Sequence, residues 1–277
     1  MSDLGKSIRH SRGAFVAGLS TLALRAAPAL AQTSPTTVTI TYQPGLGYMP
    51  FILMQAKNEL AKQFPSLQIK WTMLASGASV RDGMVANTIQ IGAVGTAPFL
   101  IGWAHGLPWK VLCTANNYDY WLITLDSKIK SIKDLKPGDK IAVPAPDSIN
   151  AMILRRALTR IGRNPHYLDV GLVAMPHPLA EQALLGHQIV GHIATPPYSI
   201  DEVAHGGHVI MHTDDGFPGG VTSVIVAITN EFSEQHPDFV TGFYKQYEEM
   251  AAYTIQHPDE AAKVYVEQSG GKAKISE

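Results

Sequence analysis

The sequence predicts an α/β protein whose two similar lobes face each other across a ligand cleft. Three observations lead there. Short apolar, β-rich runs alternate with helical segments along most of the 277 residues, the pattern of βαβ units and parallel sheets. The order of elements in the first half recurs in the second. The recurrence also reaches individual residues. Between residues 80–101 (VRDGMVANTIQIGAVGTAPFLI) and 179–200 (LAEQALLGHQIVGHIATPPYSI), Gly92 meets Gly191, Thr96 meets Thr195, Pro98 meets Pro197, Phe99 meets Tyr198 and Ile101 meets Ile200. One residue out of step, Ala104-His105-Gly106 meets Ala204-His205-Gly206.

Composition bounds the function. Hydrophobic residues make up 45% and charged residues 16%, enough apolar surface to exclude wholesale disorder. A formal net charge of −1 supplies no basic face for nucleic acid. The single cysteine, Cys113, forms no internal disulfide and no Cys-rich metal cluster. Within an apolar strand it reads as a small buried hydrophobe.

Residues 1–31 read as an export leader. Lys6, Arg9 and Arg12 form a basic start, residues 14–24 are apolar and uncharged, and Ala29-Leu30-Ala31 gives the small-x-small pattern of a signal-peptidase site. The mature chain is expected to start at Gln32. The apolar run is shorter than the roughly 20 residues that span a bilayer. Ser11-Arg12-Gly13-Ala14-Phe15-Val16 resembles a twin-arginine export motif with Gly in place of the second Arg, which leaves the export route open. Without the leader, 18 basic and 22 acidic residues remain, with no further stretch apolar enough to cross a membrane. A soluble protein exported without disulfides points to a bacterial periplasm.

The elements follow in order. Residues 38–42 read as a strand ended by Pro44-Gly45-Leu46-Gly47, residues 50–63 as a helix stopped before Pro65, and residues 67–74 as a second strand. Ser76-Gly77-Ala78-Ser79 opens a helix with good N-cap residues. Residues 89–95 are a strand with few polar residues, as burial on both faces requires. A short helix (98–105) and a strand (109–115) follow. The second set runs strand 140–143, helix 147–162, strand 170–174, helix 179–185, strand 190–194, helix 197–204 and strand 209–212. Residues 213–220 form a turn-rich loop and 221–228 one more strand. Asn230 caps a helix running to about His257, and Pro258-Asp259-Glu260 opens another that ends near Gly270-Gly271. This tail has no third set of βαβ units. It is expected to complete the first lobe, giving one lobe from residues 32–117 plus 218–277 and the other from 118–217.

In open α/β sheets, ligands sit beyond the carboxyl ends of the strands. The candidates there are Tyr42, Tyr48, Ser76, Ser79, Gly95, Thr96, Ser148, Asn150, Thr195 and Tyr198. Ser76, Ser79, Thr96, Ser148 and Thr195 lie at or near predicted helix starts, where free N–H groups and the positive dipole end favour an anion. Each alone reads equally as a cap of its own helix; the argument rests on five converging. Tyr42, Tyr48, Tyr118, Tyr120, Trp121 and Tyr198 offer amphipathic walls for a half-wet pocket. Tyr120 and Trp121 read equally as hinge or core packing. Arg81 is the one cation near a predicted lip, either a partner for an anion or half of a surface ion pair with Asp82 or another acid.

No catalytic residues are expected. There is no Gly-x-Ser-x-Gly elbow, no Walker loop and no Gly-x-Gly-x-x-Gly after a strand. The eleven histidines show no His-Glu-x-x-His and no paired spacing on a helix, so neither a metal nor a cofactor is expected.

Residues 89–98 (IQIGAVGTAP), 131–144 (SIKDLKPGDKIAVP), 183–189 (ALLGHQI), 236–240 (HPDFV) and 257–262 (HPDEAA) resemble, in this order, the periplasmic substrate-binding proteins of ABC importers in the nitrate/sulfonate/taurine group, related to the pyrimidine-precursor-binding proteins. The resemblance runs from about Thr36 to Gly271. It implies a type-2 periplasmic-binding fold, hinge closure on a small anionic solute, delivery to an ABC permease and a monomeric state. Two features depart from the family. Val190-Gly191-His192 stands where relatives carry an acid followed by Ala. The chain also stops at Glu277, where relatives continue through further helices, which reads as a shortened C-terminus. Two other functions remain open at this point: an enzyme on the same fold, such as a pyrimidine-precursor synthase or a small-molecule lyase, and a sensor subunit serving a signalling receptor.

Overall fold

The computed structural model describes residues 36–269; the expected leader and its cleavage site lie outside them. The first sheet is built from β1 (Thr36–Tyr42), β2 (Leu67–Met73), β3 (Ile91–Gly95), β4 (Trp109–Asn116) and β10 (Val224–Thr229), in the order β2-β1-β3-β10-β4. The second contains β5 (Trp121–Thr124), β6 (Ile141–Val143), β7 (Leu172–Ala174), β8 (Gly191–Ala194) and β9 (His208–Met211), in the order β7-β6-β8-β5-β9. The two orders are the same arrangement. Three parallel strands are followed by an antiparallel strand and then an edge strand.

That antiparallel member corrects the expectation of all-parallel sheets. In each sheet it is the strand that follows a crossing of the chain from the other lobe: β5 after residues 117–120 and β10 after residues 212–223. A strand entering from the opposite lobe runs against the βαβ strands it joins. β5 itself was not expected. Its four residues are too short a run to show a period.

Helices cover both faces of each sheet. In the first lobe α1 (Met49–Lys57), α2 (Glu59–Gln63), α9 (Asn230–Gln235), α10 (Pro237–Gln256) and α11 (Pro258–Gln268) accompany α3 (Gly77–Val85) and α4 (Thr96–Ala104). One core gathers Phe51, Phe239, Phe243 and Tyr247 against Val38, Ile40 and Val226. On the other face Val80, Met84 and Phe99 pack with Trp109, whose ring lies 4.7 Å from Phe99. In the second lobe, α5 (Ile149–Arg160) and α8 (Thr213–Gly216) contact one another. Leu122, Ile153, Leu154 and Leu158 form the core beneath α5. α6 (His177–Leu185) and α7 (Tyr198–Ala204) lie together, with Ala180, Ala183 and Leu184 packed on Ile123 and Ala194.

Two predicted helices are broken, for local reasons. The one expected over 50–63 stops at Asn58, whose φ of 54° is left-handed; asparagine tolerates that region better than most residues. The one expected from Asn230 is interrupted at His236 because Pro237 opens a new helix and cannot continue an old one. The first cap there is Thr229, not Asn230. The expected loop at 213–216 is instead the short α8, held by a capping box between His212 and Asp215.

The repeated Ala-His-Gly has a physical reason. His105 Nδ1 is 2.7 Å from the Ile101 carbonyl oxygen and His205 Nδ1 is 2.8 Å from that of Asp201. Each histidine side chain therefore adds a second bond to a carbonyl that already accepts from that histidine's own backbone N–H at the helix C-terminus. Gly106 and Gly206 follow with φ of 81° and 94°, the left-handed exit that glycine takes without strain.

Candidate functional site

The carboxyl ends of the parallel strands of both sheets converge on one cleft. From the first lobe come Gln43, Pro44 and Tyr48 after β1, Ala75 and Gly77 after β2, and Gly95 and Pro98 after β3. The second lobe supplies Pro144, Ser148, Ile149 and Asn150 after β6, His177 after β7 and Thr195 after β8. Tyr118 and Tyr120 of the first crossing and Val224 at the end of the second complete the wall. The cavity is about 30 Å³, room for one or two water molecules.

Two serine-capped helix starts, one per lobe, reach this cleft. The Ser76 side chain caps α3 by accepting from the Ser79 N–H at 3.2 Å, and the two hydroxyls are 3.1 Å apart. Ser148 caps α5 by accepting from the Ala151 N–H at 3.4 Å. Neither helix has an acidic residue in its first turn, so no side chain of that turn neutralises the positive dipole end. Gly77 permits the close approach of α3. A Cβ there would lie 2.8 Å from Pro98 Cγ and 3.1 Å from the Gly95 nitrogen.

Paired amides hold the loops on both sides. Gln43 Nε2 donates to the Ala93 carbonyl of β3 at 3.1 Å, and Asn150 Nδ2 donates to the Ile193 carbonyl of β8 at 2.8 Å. Both side chains are buried and tie a lining segment, the loop after β1 or the start of α5, to the central strand of its own sheet. At the hinge the Tyr118 and Tyr120 rings meet edge-on, 6.0 Å apart. Burial pushes both phenols far up, so they remain neutral donors. The Tyr118 hydroxyl and the Asn116 amide are buried without a hydrogen-bond partner among the described residues.

The structure separates the ten predicted residues. Tyr48, Gly95, Ser148, Asn150 and Thr195 line the cleft. Ser76 lies between lining residues and spends its oxygen on the α3 cap, with Ser79 paired to it. Tyr198 stands behind His177, rings stacked at 5.7 Å, and its hydroxyl bonds Tyr265 of the other lobe. The hydroxyl of Tyr42 donates to Gln55 at 2.8 Å. Thr96 Oγ1 donates to the carbonyls of Thr222 and Ser223, which fastens α4 to the second crossing. Trp121 belongs to β5 and donates to Asp119.

Arg81 resolves as an ion pair. Nη1 is 2.6 Å from Asp147 Oδ2 and Nη2 is 3.1 Å from Asp82 Oδ1. Asp147 belongs to the other lobe, so the pair spans the mouth of the cleft. A backbone bond does the same nearby, with the Leu46 N–H donating to the Pro196 carbonyl at 3.1 Å. Gly45, at φ 134°, sets up that approach. Among the described residues, no lysine, arginine or carboxylate lines the cavity itself.

Sequence reasoning missed His177, and Gln43, Gly77 and Ile149 line the cleft beside the residues it named. His177 had a signal in its position. It opens the helix after an edge strand, as Gly77 does in the first lobe. Cys113 is half-buried in β4, with its thiol pushed up to about 12 chiefly by burial, so it is unreactive.

Two α/β lobes of matching strand order, crossed twice by the chain, define the two-lobed fold of the periplasmic binding proteins. More narrowly, the chain belongs to the NMT1-like family, whose model matches residues 31–267. It is 27% identical over 225 residues, 78% of this chain and 65% of the relative, to a Bacillus subtilis (strain 168) protein named for binding aliphatic sulfonates. It is 25% identical over 251 residues, 90% of this chain and 74% of the relative, to the taurine-binding periplasmic protein of Escherichia coli (strain K12). Among solved structures, the alkanesulfonate-binding protein of Xanthomonas axonopodis pv. citri bound to MOPS superposes with a TM-score of 0.73 at 19% identity, over 86% of this chain and 80% of that one. The chain thus spans just under two thirds of the first of these relatives.

Proposed function

We propose that this protein is the solute-binding component of an ABC importer, capturing a small organic oxyanion of the sulfonate or taurine kind and releasing it unchanged to a membrane permease. The observation that carries this reading is the convergence of two serine-capped helix N-termini, one from each lobe and neither with an acid in its first turn, on a cleft whose wall has no lysine, arginine or carboxylate among the described residues. Fixed dipoles and neutral donors suit an anion that must be both held and released. The names of the sequence relatives support the same class of ligand and a periplasmic location.

Closure follows from the size of the cavity. About 30 Å³ does not admit an alkanesulfonate, so the lobes part to load it. They rotate about the two crossings, with the first lobe as one body and the second as the other. Ligand that touches both lobes shifts the balance toward the closed form. Tyr48, Gly95, Ser148, Asn150 and Thr195 make the contacts, with Ser76, Ser79, Thr96, Tyr42 and Tyr198 holding them in place. The protein acts as a monomer, without metal, cofactor or catalysis.

The test is calorimetry of the purified protein against taurine, ethanesulfonate, nitrate, bicarbonate and an aromatic carboxylate, with the ligand recovered and analysed by NMR. A sulfonate bound more tightly than the others and recovered intact is expected. Binding of none of these anions, or recovery of a transformed ligand, overturns the reading.

A further inference from the structure

A chain of three buried side chains leads from the cleft wall into the core of the second lobe. His177 Nδ1 is 2.8 Å from His192 Nε2, and His192 Nδ1 is 2.5 Å from Glu202 Oε1. His192 and Glu202 are fully buried and His177 nearly so. Glu202 Oε2 has no partner among the described residues, and no hydrogen bond within them falls on His177 Nε2. The Tyr198 ring stacked on His177 fixes the plane of the imidazole. His192 ends the Val190-Gly191-His192 stretch at which the sequence departs from the resembled pattern.

Donor counting orients this chain. An ionised carboxylate buried with one oxygen unpaired is costly, and no lysine or arginine among the described residues pairs with it. The titratable groups around Glu202 are His177 and Glu181 on α6, His192 on β8, and Asp201, Tyr198 and His205 on α7; β5, packed on α7, has none. The acids in this set work against a second negative charge. Burial first, and then Asp201, hold the Glu202 carboxyl up at about 9; burial lowers both histidines. A neutral carboxyl donates its one proton to His192 Nδ1. The single proton of His192 then stands on Nε2 and is donated to His177 Nδ1. The proton of His177 stands on Nε2.

We propose that Glu202, His192 and His177 form a one-way hydrogen-bond relay that presents the His177 Nε2–H as a donor to an acceptor oxygen of the ligand, making His177 a specificity-determining residue for oxyanions that carry no proton. The proposal rests on the oxyanion reading above and adds its polarity rule. Glu202 and His192 are positioning residues. Loss of the carboxyl proton reverses the relay. His192 then donates from Nδ1 to the carboxylate, His177 donates from Nδ1 to His192, and a lone pair on His177 Nε2 faces the ligand's oxygen.

The experiment has two readouts. Histidine ¹⁵N NMR of the ligand-free protein at pH 7 is expected to show both imidazoles neutral and protonated on Nε2. Calorimetry with ethanesulfonate from pH 6 to pH 10 is expected to show constant affinity that falls about 10-fold or more as pH rises past about 9. Glu202→Leu weakens binding at pH 7 by a similar factor. Glu202→Gln, whose amide donates to His192 Nδ1 at every pH, restores binding and removes the alkaline fall. Protons on Nδ1, or parallel pH curves for the parent and Glu202→Gln, overturn the relay. The NMR result needs no ligand, so failure of the relay and failure of the oxyanion reading are separate outcomes.

Discussion

The Arg81 guanidinium on α3 and the Asp147 carboxylate ahead of α5 are 2.6 Å apart and join the lobes across the mouth of the cleft. Both side chains are partly exposed, so the pair contributes about 0.2–1 kcal/mol. That is a factor of about 1.5 to 5 in an open–closed equilibrium. Asp147→Asn is expected to raise the dissociation rate of ligand by this factor and to increase the radius of gyration of the ligand-free protein in small-angle scattering. An unchanged dissociation rate at low salt counts against the contact as a closing element.

Glu202 also shapes stability against pH. Its folded pKa of about 9 lies above the roughly 4.3 of an unfolded glutamate. Between those values the unfolded chain binds fewer protons than the folded one, so this group's contribution falls as pH rises, by at most about 1.4 kcal/mol per pH unit. It is fully present below the unfolded value. Glu202→Gln has no proton to lose. Urea unfolding at several pH values is expected to show the variant gaining on the parent from about pH 5 to about pH 9; a constant difference contradicts a neutral carboxyl.

Gly47 and Gly95 are expected to respond in opposite ways. A Cβ on Gly47 would stand 1.7 Å from Tyr118 Oη and 2.7 Å from Asn116 Nδ2. Gly47→Ala therefore displaces the hinge and lowers stability by about 1–3 kcal/mol. A Cβ on Gly95 meets nothing nearer than Pro98 Cδ at 3.4 Å, and its φ of −59° suits any residue. Gly95→Ala leaves the melting temperature within a few degrees and weakens ligand binding, because the new methyl enters the cleft. Thermal melts paired with calorimetry separate the two.

Ser148 both caps α5 and lines the cleft. Ser148→Ala removes the cap, costing about 1 kcal/mol, which lowers the melting temperature by about 2–4 °C. Ser148→Asp keeps the cap but places a negative charge at the proposed anion site. It is expected to match the parent in a melt and to bind ethanesulfonate at least 10-fold more weakly. Normal affinity in the aspartate variant removes Ser148 from the site.

Local features were legible in the sequence and convergent ones were not. Ser76 and Ser148 announced themselves as caps because a cap is read from its immediate neighbours. The buried strand at β3 showed as a short apolar run. β5 did not, since Trp121–Thr124 gives no period to read. The antiparallel seats of β5 and β10 depend on which lobe the chain has just left. The site divides the same way. Gly95 and Thr195 follow from strand ends, whereas Arg81 with Asp147, and His177 with His192 and Glu202, are pairings between distant segments. Thr96 shows the limit of position alone. It begins α4 at a strand end, yet its hydroxyl turns to the second crossing.

The seat of β10 has a consequence for how the protein is made. Among the described residues, β4 is hydrogen-bonded into its sheet only through β10, which lies more than a hundred residues later in the chain. During synthesis, the amino-terminal lobe therefore waits with a gap and a detached edge strand. The lobe built from β5 to β9 is contiguous and has every partner first. Assembly is expected to run from the middle of the chain outward, and the interval before β10 arrives is when unpaired edges of β3 and β4 are open to aggregation.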